Sequence, residues 1–407
     1  MNISSQPLHF GWNAAVDIGS SNGTTGKAVI YDDHWKKING TSSAQTLQKI
    51  ESNDNFLNSV TRLIKSLYLP VAQGLNKKEQ LGKVLVFFMP GQPIGNKIPY
   101  PNGLNTATGE MLANLDLNKI PKSIKGQSNI ALHQDVRVIT LNDVAGGLAK
   151  ALSQMAQNHP KLFKPGMEAL YLMSGGGLGV AHASYTNDGQ TKPSIRLEMS
   201  EMADIPYPYP WKKAFLIGGI NANVTKLLED FTDSLPAHLD HTKQKFLASR
   251  NGKAVTSFKE ASLLIPNITR KEYELASKIA INSYINMLAY LAALRVYMGT
   301  NLVIISGQVA KGVKGYVEQH PALFEQDIRN YDRVPHPQDR SPFEKVFLSR
   351  VWNQLSPAGQ SQFKIRKFDL ISDIHVIDNT EGAPFIAKGW FANRGDRFII
   401  PASVFKP

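Results

Sequence analysis

The sequence predicts an α/β protein, and three observations carry that prediction. Apolar strands run repeatedly into glycine-rich turns and then into amphipathic helices, an order that places ligands at the carboxyl ends of strands. At 407 residues and 42% hydrophobic content, the chain can bury a large core and has the length of two domains. It has no cysteine, which removes disulfides, thiolate metal sites and cysteine nucleophiles, and which fits a reducing cytoplasm.

The first strands lie in AAVDIGSSNGTTGKAVIYDD, residues 14 to 33. An apolar run ends in Asp17, a turn of glycines and small hydroxyl residues follows, and a second apolar strand returns. The bare N–H groups of such a turn can ring an anion. Read alone, the stretch is a β-hairpin with a loose turn. It is not a Walker loop, because Ser21 and Ala28 stand where that motif needs a glycine and a magnesium-binding hydroxyl.

An amphipathic helix follows at DNFLNSVTRLIKSL, with Phe56, Val60, Leu63, Ile64 and Leu67 on one face and Asn53 or Asp54 as the cap. VLVFFM, 84 to 89, is a buried strand closed by Pro90-Gly91, and DVRVITL, 135 to 141, is another. The helix VAGGLAKALSQMA comes next, then the strand ALYLM, 169 to 173, running into SGGGLG. A long helix starts at a Thr269-x-x-Glu272 capping box. Leu275 and Ile279 begin its apolar stripe, Asn282 interrupts it, and Ile285, Leu288 and Leu291 resume it. NLVIIS, 301 to 306, is a strand followed by GQVAKGV, and DIHVID, 373 to 378, is the last strand before NTEGAPFIAKGW. The polar stretch 237 to 268 and the Pro-, Asp- and Arg-rich stretch 325 to 366 read as insertions.

Composition narrows the partners. The net charge of +12 raises a nucleic-acid hypothesis, but the basic residues are scattered. No zinc-finger spacing, RNP motif or basic helix accompanies them. A basic surface around a site for an anionic ligand is the reading adopted, with no nucleic-acid partner. The amino-terminal residues lack a signal-peptide pattern, and INMLAYLAALRVYMG is too short for a bilayer span and carries Arg295, so the expectation is a soluble, cytoplasmic protein without a membrane partner. His238 and His241 lack a third ligand and make no metal site.

Three more strands end in acids or glycine turns: Asn142-Asp143, MSGGGLGVA and ISGQVAKG. An acid at a strand tip together with glycine loops suits phosphoryl transfer to an alcohol. The loops hold phosphate oxygens, one carboxylate takes the hydroxyl proton and another positions magnesium. Judged singly, Asn142-Asp143 is an ordinary helix cap, the glycine turns are close packing, and Glu201 and Glu229 are solvated.

In order along the chain, DIGSSNG, LNDVAGG, LMSGGGLG, SGQVAKG and IDNTEGA resemble the phosphate-1, catalytic-aspartate, phosphate-2, adenosine and final-helix motifs of the actin-like (ASKHA) sugar kinases, within them the bacterial glucokinase and ROK group. MPGQP…PYPNG, LEMSEMADIP and LLEDFTDSLPAHL resemble that group's sugar-binding segments. The resemblance spans residues 14 to 390, apart from the two insertions. It implies a two-lobed actin-like, ribonuclease H-like α/β fold. The amino-terminal lobe would be 1–140 completed by 381–407, and the larger lobe 141–380. Asp17 and Asp143 are then expected to face each other across a cleft between the lobes.

Carried over residue by residue, the resemblance implies an ATP-dependent hexose kinase, with ATP and Mg2+ and without zinc. Asp143 would be the general base for the 6-hydroxyl of glucose or a related hexose. Asp17 would steer magnesium and phosphate. Gly19, Ser21, Asn22 and Gly23, with Ser174, Gly175 and Gly176, would flank the transferred phosphate. Gly307 and Gln308 would lie beside the adenine. Asn102, Asn142, Glu201, Asp204 and Glu229 would bind sugar hydroxyls, and a homodimer is common in the family. The chain departs from the pattern at Ser20, Ser21, Ser200, Asp204 and Gln308, which leaves a catalytically weakened sugar- or nucleotide-binding protein of the same fold as the alternative.

Overall fold

A computed structural model describes residues 12–19, 25–47, 50–72, 82–101, 104, 106, 110–127, 132–175, 177–187, 189, 192–200, 206–208, 217–219, 224–239, 257–335, 339–376, 378–393 and 396–406. The chain divides into two compact units, one of residues 1–150 with 378–404, the other of 151–377 with 405–407.

The first unit is built on β1 (Trp12–Gly19), β2 (Thr25–Asp32), β3 (Lys37–Thr46) and β4 (Gly82–Met89), with helix α1 (Asn53–Ala72) between the last two. A small ribbon follows, β5 (Lys97–Ile98) with β6 (Leu115–Asp116), then helix α2 (Ile120–Gln127), strand β7 (Leu132–Asn142) and the start of helix α3 (Asp143–Asn158), whose residues from 151 on count with the second unit. The sheet order is β3-β2-β1-β4-β7: an antiparallel meander joined to two parallel strands. Ala14, Ala15, Val16, Val86 and Phe87 are buried, as the central strands of a sheet covered on both faces must be. The predicted face of α1, Phe56, Val60, Leu63, Ile64 and Leu67, packs into this core with Trp12 and Phe87. Its cap is Ser52, not Asn53 or Asp54: the Ser52 hydroxyl accepts the Asn55 N–H at 3.2 Å.

The second unit contains β8 (Glu168–Ser174), β9 (Leu178–Thr186), β10 (Ser194–Ser200) and a ribbon of β11 (Pro206–Pro208) and β12 (Ile217–Gly219). Helices α4 (Val224–Asp233), α5 (Phe258–Leu264) and α6 (Arg270–Tyr297) precede strand β13 (Leu302–Ser306) and helix α7 (Gln308–Gln319). Helices α8 (Glu325–Asn330), α9 (Pro342–Gln354) and α10 (Pro357–Ile365) lead to strand β14 (Asp369–Ile371). Strand β13 lies between β8 and β14, parallel to both, and β8, β9 and β10 form an antiparallel meander.

Helix α6 starts at the predicted capping box, with Thr269 and Glu272 exchanging both bonds. It is long and apolar enough to cross a bilayer by composition, yet 67% of its most apolar window is buried inside the protein. Its buried face differs from expectation. Leu275 and Ile279 are 55% and 40% exposed, while Ala276 and Ala280 turn inward with Tyr273 and Tyr284. Ile285, Leu288 and Leu291 are buried as expected, so the predicted stripe fails only over the first turns, where alanines take the inward positions.

Two further expectations are corrected. Of the strand predicted at 373 to 378, none of the described residues is in a strand; the strand is Asp369–Ile371, and 374–376 is irregular, though Ile374 and Val376 are buried. Segment 325 to 366 is no appendage: Phe343, Phe347, Val351 and Phe363 belong to the unit's main core.

Candidate active site

Strand register places the first acid. Asp17 is level with Phe88 on β4, and Phe88 with Leu141 on β7, so the carboxyl ends of three strands finish together. Two strand spacings, with β4 between, separate Asp17 from Leu141 by about 10 Å. Asn142 ends β7 and Asp143 opens α3. Asp17, Gly19, Asn142 and Asp143 therefore belong to one unit and share one sheet edge. The expectation of carboxylates contributed by opposite lobes does not hold.

Asn142 is buried and serves as a strut. Its Nδ2 donates to the Gly91 carbonyl at 3.0 Å, and its Oδ1 accepts the Val144 N–H at 3.1 Å. Gly91 has φ +99°, and a Cβ there would overlap the Tyr100 carbonyl. Asp143 is half-buried, and its Oδ1 accepts the same Val144 N–H at 2.9 Å. The predicted cap is thus shared by two adjacent side chains.

A third acid arrives from the far end of the chain. The turn Asn379–Gly382 and the helix Ala383–Ala392 belong to the first unit. Backbone meets backbone where this turn crosses α3. A Cβ on Gly146 would overlap the Asn379 carbonyl, and one on Gly382 the Gly146 carbonyl. Asp378 is buried and caps the turn, accepting the Thr380 N–H at 3.0 Å and its hydroxyl at 2.5 Å. Tyr31 fixes the turn by donating to the Thr380 carbonyl at 2.9 Å. Asn379 Nδ2 reaches both Asp17 oxygens at 3.3 Å, and its buried Oδ1 has no partner.

Charge is unbalanced here. Lys27 faces Asp17 across the hairpin, but its ammonium is committed to Asp378 at 2.5 Å. Burial, then the neighbouring Asp143 carboxylate, then Asp378, push Asp17 up from 3.8 to about 7, against the Asn379 bond and Lys27, which lower it. Lys27, Asp378 and Asn379 were not singled out from the sequence. The Asx turn in DNTEG is the signal for Asp378, and strand alternation is the signal for Lys27.

Magnesium binds through one or two carboxylates while retaining waters. Asp17 is an under-compensated carboxylate, and the orphaned Asn379 Oδ1 beside it can accept a hydrogen bond from a coordinated water. Among the described residues, no group of three or more His, Asp or Glu side chains is arranged as a closed metal cage.

In the second unit, Ser174 ends β8 and is buried, and Gly175 donates its N–H to the Gly177 carbonyl at 2.9 Å. Gly307 sits between β13 and α7 with φ +99°, and a Cβ there would overlap the Ser174 carbonyl. Two strand-end turns thus touch through backbone, which only glycine allows. A Cβ on Gly175 or Gly177 would meet nothing, so this backbone can be approached by an anion. Gln308 is exposed at the first turn of α7, and Glu229 is exposed on α4. Asn102, Glu201, Asp204, Ser21, Asn22, Gly23 and Gly176 lie outside the described residues.

No protein-family model and no curated protein sequence matches the chain. Solved structures do. A glucokinase from Balamuthia mandrillaris in complex with glucose aligns over 95% of this chain and 96% of its own, with a TM-score of 0.52 at 14% identity. A glucokinase from Parabacteroides distasonis aligns over 94% and 97%, with a TM-score of 0.49 at 13% identity. A ROK family glucokinase from Streptomyces griseus in complex with glucose and AMPPNP aligns over 84% and 98%, with a TM-score of 0.47 at 10% identity. The first alignment establishes the fold, the α/β architecture that this chain shares with that glucokinase.

Proposed function

We propose that the protein is an ATP-dependent sugar kinase that transfers the γ-phosphate of ATP to the 6-hydroxyl of glucose or a related hexose. One observation carries the reading: Asp17 and Asp143 end at one sheet edge with Asp378, and Lys27, which faces Asp17, is paired with Asp378 instead. Such a carboxylate set lacks cations, and a phosphoryl-transfer site receives them with its substrate.

Asp143 is the general base in this reading. The hydroxyl proton passes to its carboxylate, the hydroxyl oxygen bonds to the γ-phosphorus, and the bond to the β-phosphate oxygen breaks to release ADP. The Val144 N–H fixes the carboxylate, and Asn142, tied to Gly91 and to the same N–H, holds the strand end still. Asn142 and, from outside the described residues, Asn102, Glu201 and Asp204 are the proposed sugar contacts, with Glu229. Asp17 and Asn379 would hold magnesium through its waters, and the ion would supply positive charge to the phosphate oxygens. The turns at Ser174 and Gly307 offer backbone N–H groups to the nucleotide. Gly19, Ser21, Asn22 and Gly23 have the composition for the same task in the first unit.

The test is a coupled ADP-release screen over glucose, mannose, fructose, glucosamine and N-acetyl sugars with ATP and magnesium, repeated with polyphosphate. At least one sugar-dependent rate is expected. The Asp143→Asn variant should lose turnover by about 100-fold or more while sugar affinity stays within several-fold, since the amide keeps the shape but cannot take the proton. Sugar binding without ADP release in the parent would instead support the binding-protein alternative. ADP release by the variant at the parent rate would remove Asp143 from its role.

A further inference from the structure

Helix α6 carries polar residues where its apolar stripe breaks, and they open into a groove of about 530 Å³ within the second unit. The volume is in the range of small-molecule sites. Ile279, Asn282, Ser283 and Asn286 line it from α6 at helical spacing, and Arg350 and Asn353 line it from α9. None of these residues belongs to the proposed kinase machinery.

The hydrogen-bond inventory of the groove selects its ligand. Arg350 is buried and has five N–H donors. Its Nε and Nη2 donate to Asp327 Oδ2 at 3.2 and 2.6 Å; Nη2 also donates to Asn282 Oδ1 at 2.5 Å, and Nη1 to the Asn282 carbonyl at 3.0 Å. Four of the five donors are used, and the formal charge is cancelled by Asp327. A phosphate or carboxylate would find no free cationic fork here. The pair is only partly buried, since the Asp327 side chain keeps a quarter of its surface exposed.

The unsatisfied groups are neutral. Ser283 is 1% exposed, lines the groove, and its hydroxyl has no partner. Inside a helix such a hydroxyl usually bonds back to the preceding turn, so Ser283 leaves neutral hydrogen-bonding capacity just beneath the groove surface. The carboxamides of Asn286 and Asn353 add paired donors and acceptors, and Ile279 supplies one apolar wall. Alternating donors, acceptors and carbon faces are what a carbohydrate presents. We propose that this groove binds a small, uncharged, polyhydroxylated molecule of the sugar class, at a site separate from the phosphoryl-transfer residues.

The experiment is hydrogen exchange on the full chain with maltose, trehalose, glucose, inorganic phosphate and glucose 6-phosphate, at up to about 50 mM so that millimolar affinity is detected. At least one neutral sugar should slow exchange in peptides covering 279–286 and 350–354. By calorimetric titration, Asn353→Leu should weaken that sugar about tenfold, the loss expected when one or two hydrogen bonds are removed. Asn353 is exposed, so the variant should melt with the parent, and Ser283→Ala provides a second variant that keeps the backbone. The proposal is overturned if no neutral sugar protects these peptides, if only the phosphate-bearing probes do, or if both variants bind like the parent. Kinase assays do not enter the readout, so the two proposals fail independently.

Discussion

Replacing Asp17 by Asn should make the protein more stable and less active, and the stability gain should depend on pH. In the folded chain Asp17 titrates at about 7, against 3.8 for an unperturbed carboxyl. Below 3.8 the group is protonated in both states and contributes nothing. As pH rises from 3.8 to about 7, the unfolded chain releases the proton first, so folding loses stability, and the loss levels off above 7. A displacement of about three pH units, at 1.36 kcal/mol per unit, corresponds to about 4 kcal/mol. Partial solvent access at Asp17 lowers this to roughly 2–4 kcal/mol. Asparagine escapes the penalty and can donate to the orphaned Asn379 Oδ1. Thermal melts of parent and variant between pH 4 and pH 8 are the assay. At 2–4 °C per kcal/mol, the variant should melt on the order of 5–10 °C higher at pH 8, and the gap should close toward pH 4. A variant that melts at or below the parent at pH 8, or whose advantage is the same at both pH values, would refute the charge argument. Its turnover should fall at least about 100-fold, since stability and activity oppose each other at a site built on repulsion.

Two further outcomes are expected. Gly146→Ala adds a methyl where the Asn379 carbonyl already lies, so the 379–382 turn must move off α3. A loss of about 1–3 kcal/mol by denaturant titration and a drop in turnover are expected; a variant that is parent-like in both would disprove the close crossing. His182 is held neutral in the fold: burial first, then Arg295, lowers it from 6.5 to about 4, outweighing the Glu168 carboxylate 3.4 Å from Nε2. As pH falls from 6.5 toward 4, the unfolded chain takes up a proton that the folded chain refuses, and stability drops by on the order of 1–3 kcal/mol. His182→Gln should flatten that decline relative to the parent in melts between pH 7 and pH 4.5, and an unchanged slope would count against the assignment.

The strands were legible because fully buried strands leave continuous apolar runs, as VLVFFM and ALYLM do. DIHVID misled for a physical reason. Its Val376 is buried, but the Val376 N–H donates to the Ser306 hydroxyl at 2.8 Å, and that hydroxyl donates to the Val376 carbonyl at 3.4 Å. A side chain substitutes for a ladder partner, and no local pattern encodes that. Leu275 and Ile279 misled because size was read as depth, whereas α6 packs through Ala276 and Ala280. Segment 325 to 366 hid its core helices behind prolines that are themselves helix starts: Pro342 follows the Ser341 cap, and Pro357 follows Ser356.

The candidate site was legible only in part, and the division follows sequence distance. Asp17 and Asp143 stand at strand tips, where position alone suggests a role. What sets the behaviour of Asp17 lies 362 residues away in Asn379 and in the competition for Lys27. A lysine opposite an aspartate in a hairpin reads as a neutralising pair. Asp378 reverses that reading by taking the ammonium, which leaves Asp17 with two carboxylate neighbours and an amide. The consequence is functional as well as energetic. A lysine bonded to Asp17 would satisfy it permanently, whereas an under-compensated Asp17 is stabilised when a ligand brings positive charge. Disabling Asp378 should therefore free Lys27 for Asp17: Asp378→Asn is expected to lower the Asp17 titration and shrink the stabilisation gained from Asp17→Asn at pH 8. The double variant measures that coupling directly, and strict additivity of the two substitutions would show that Lys27 is not the shared partner.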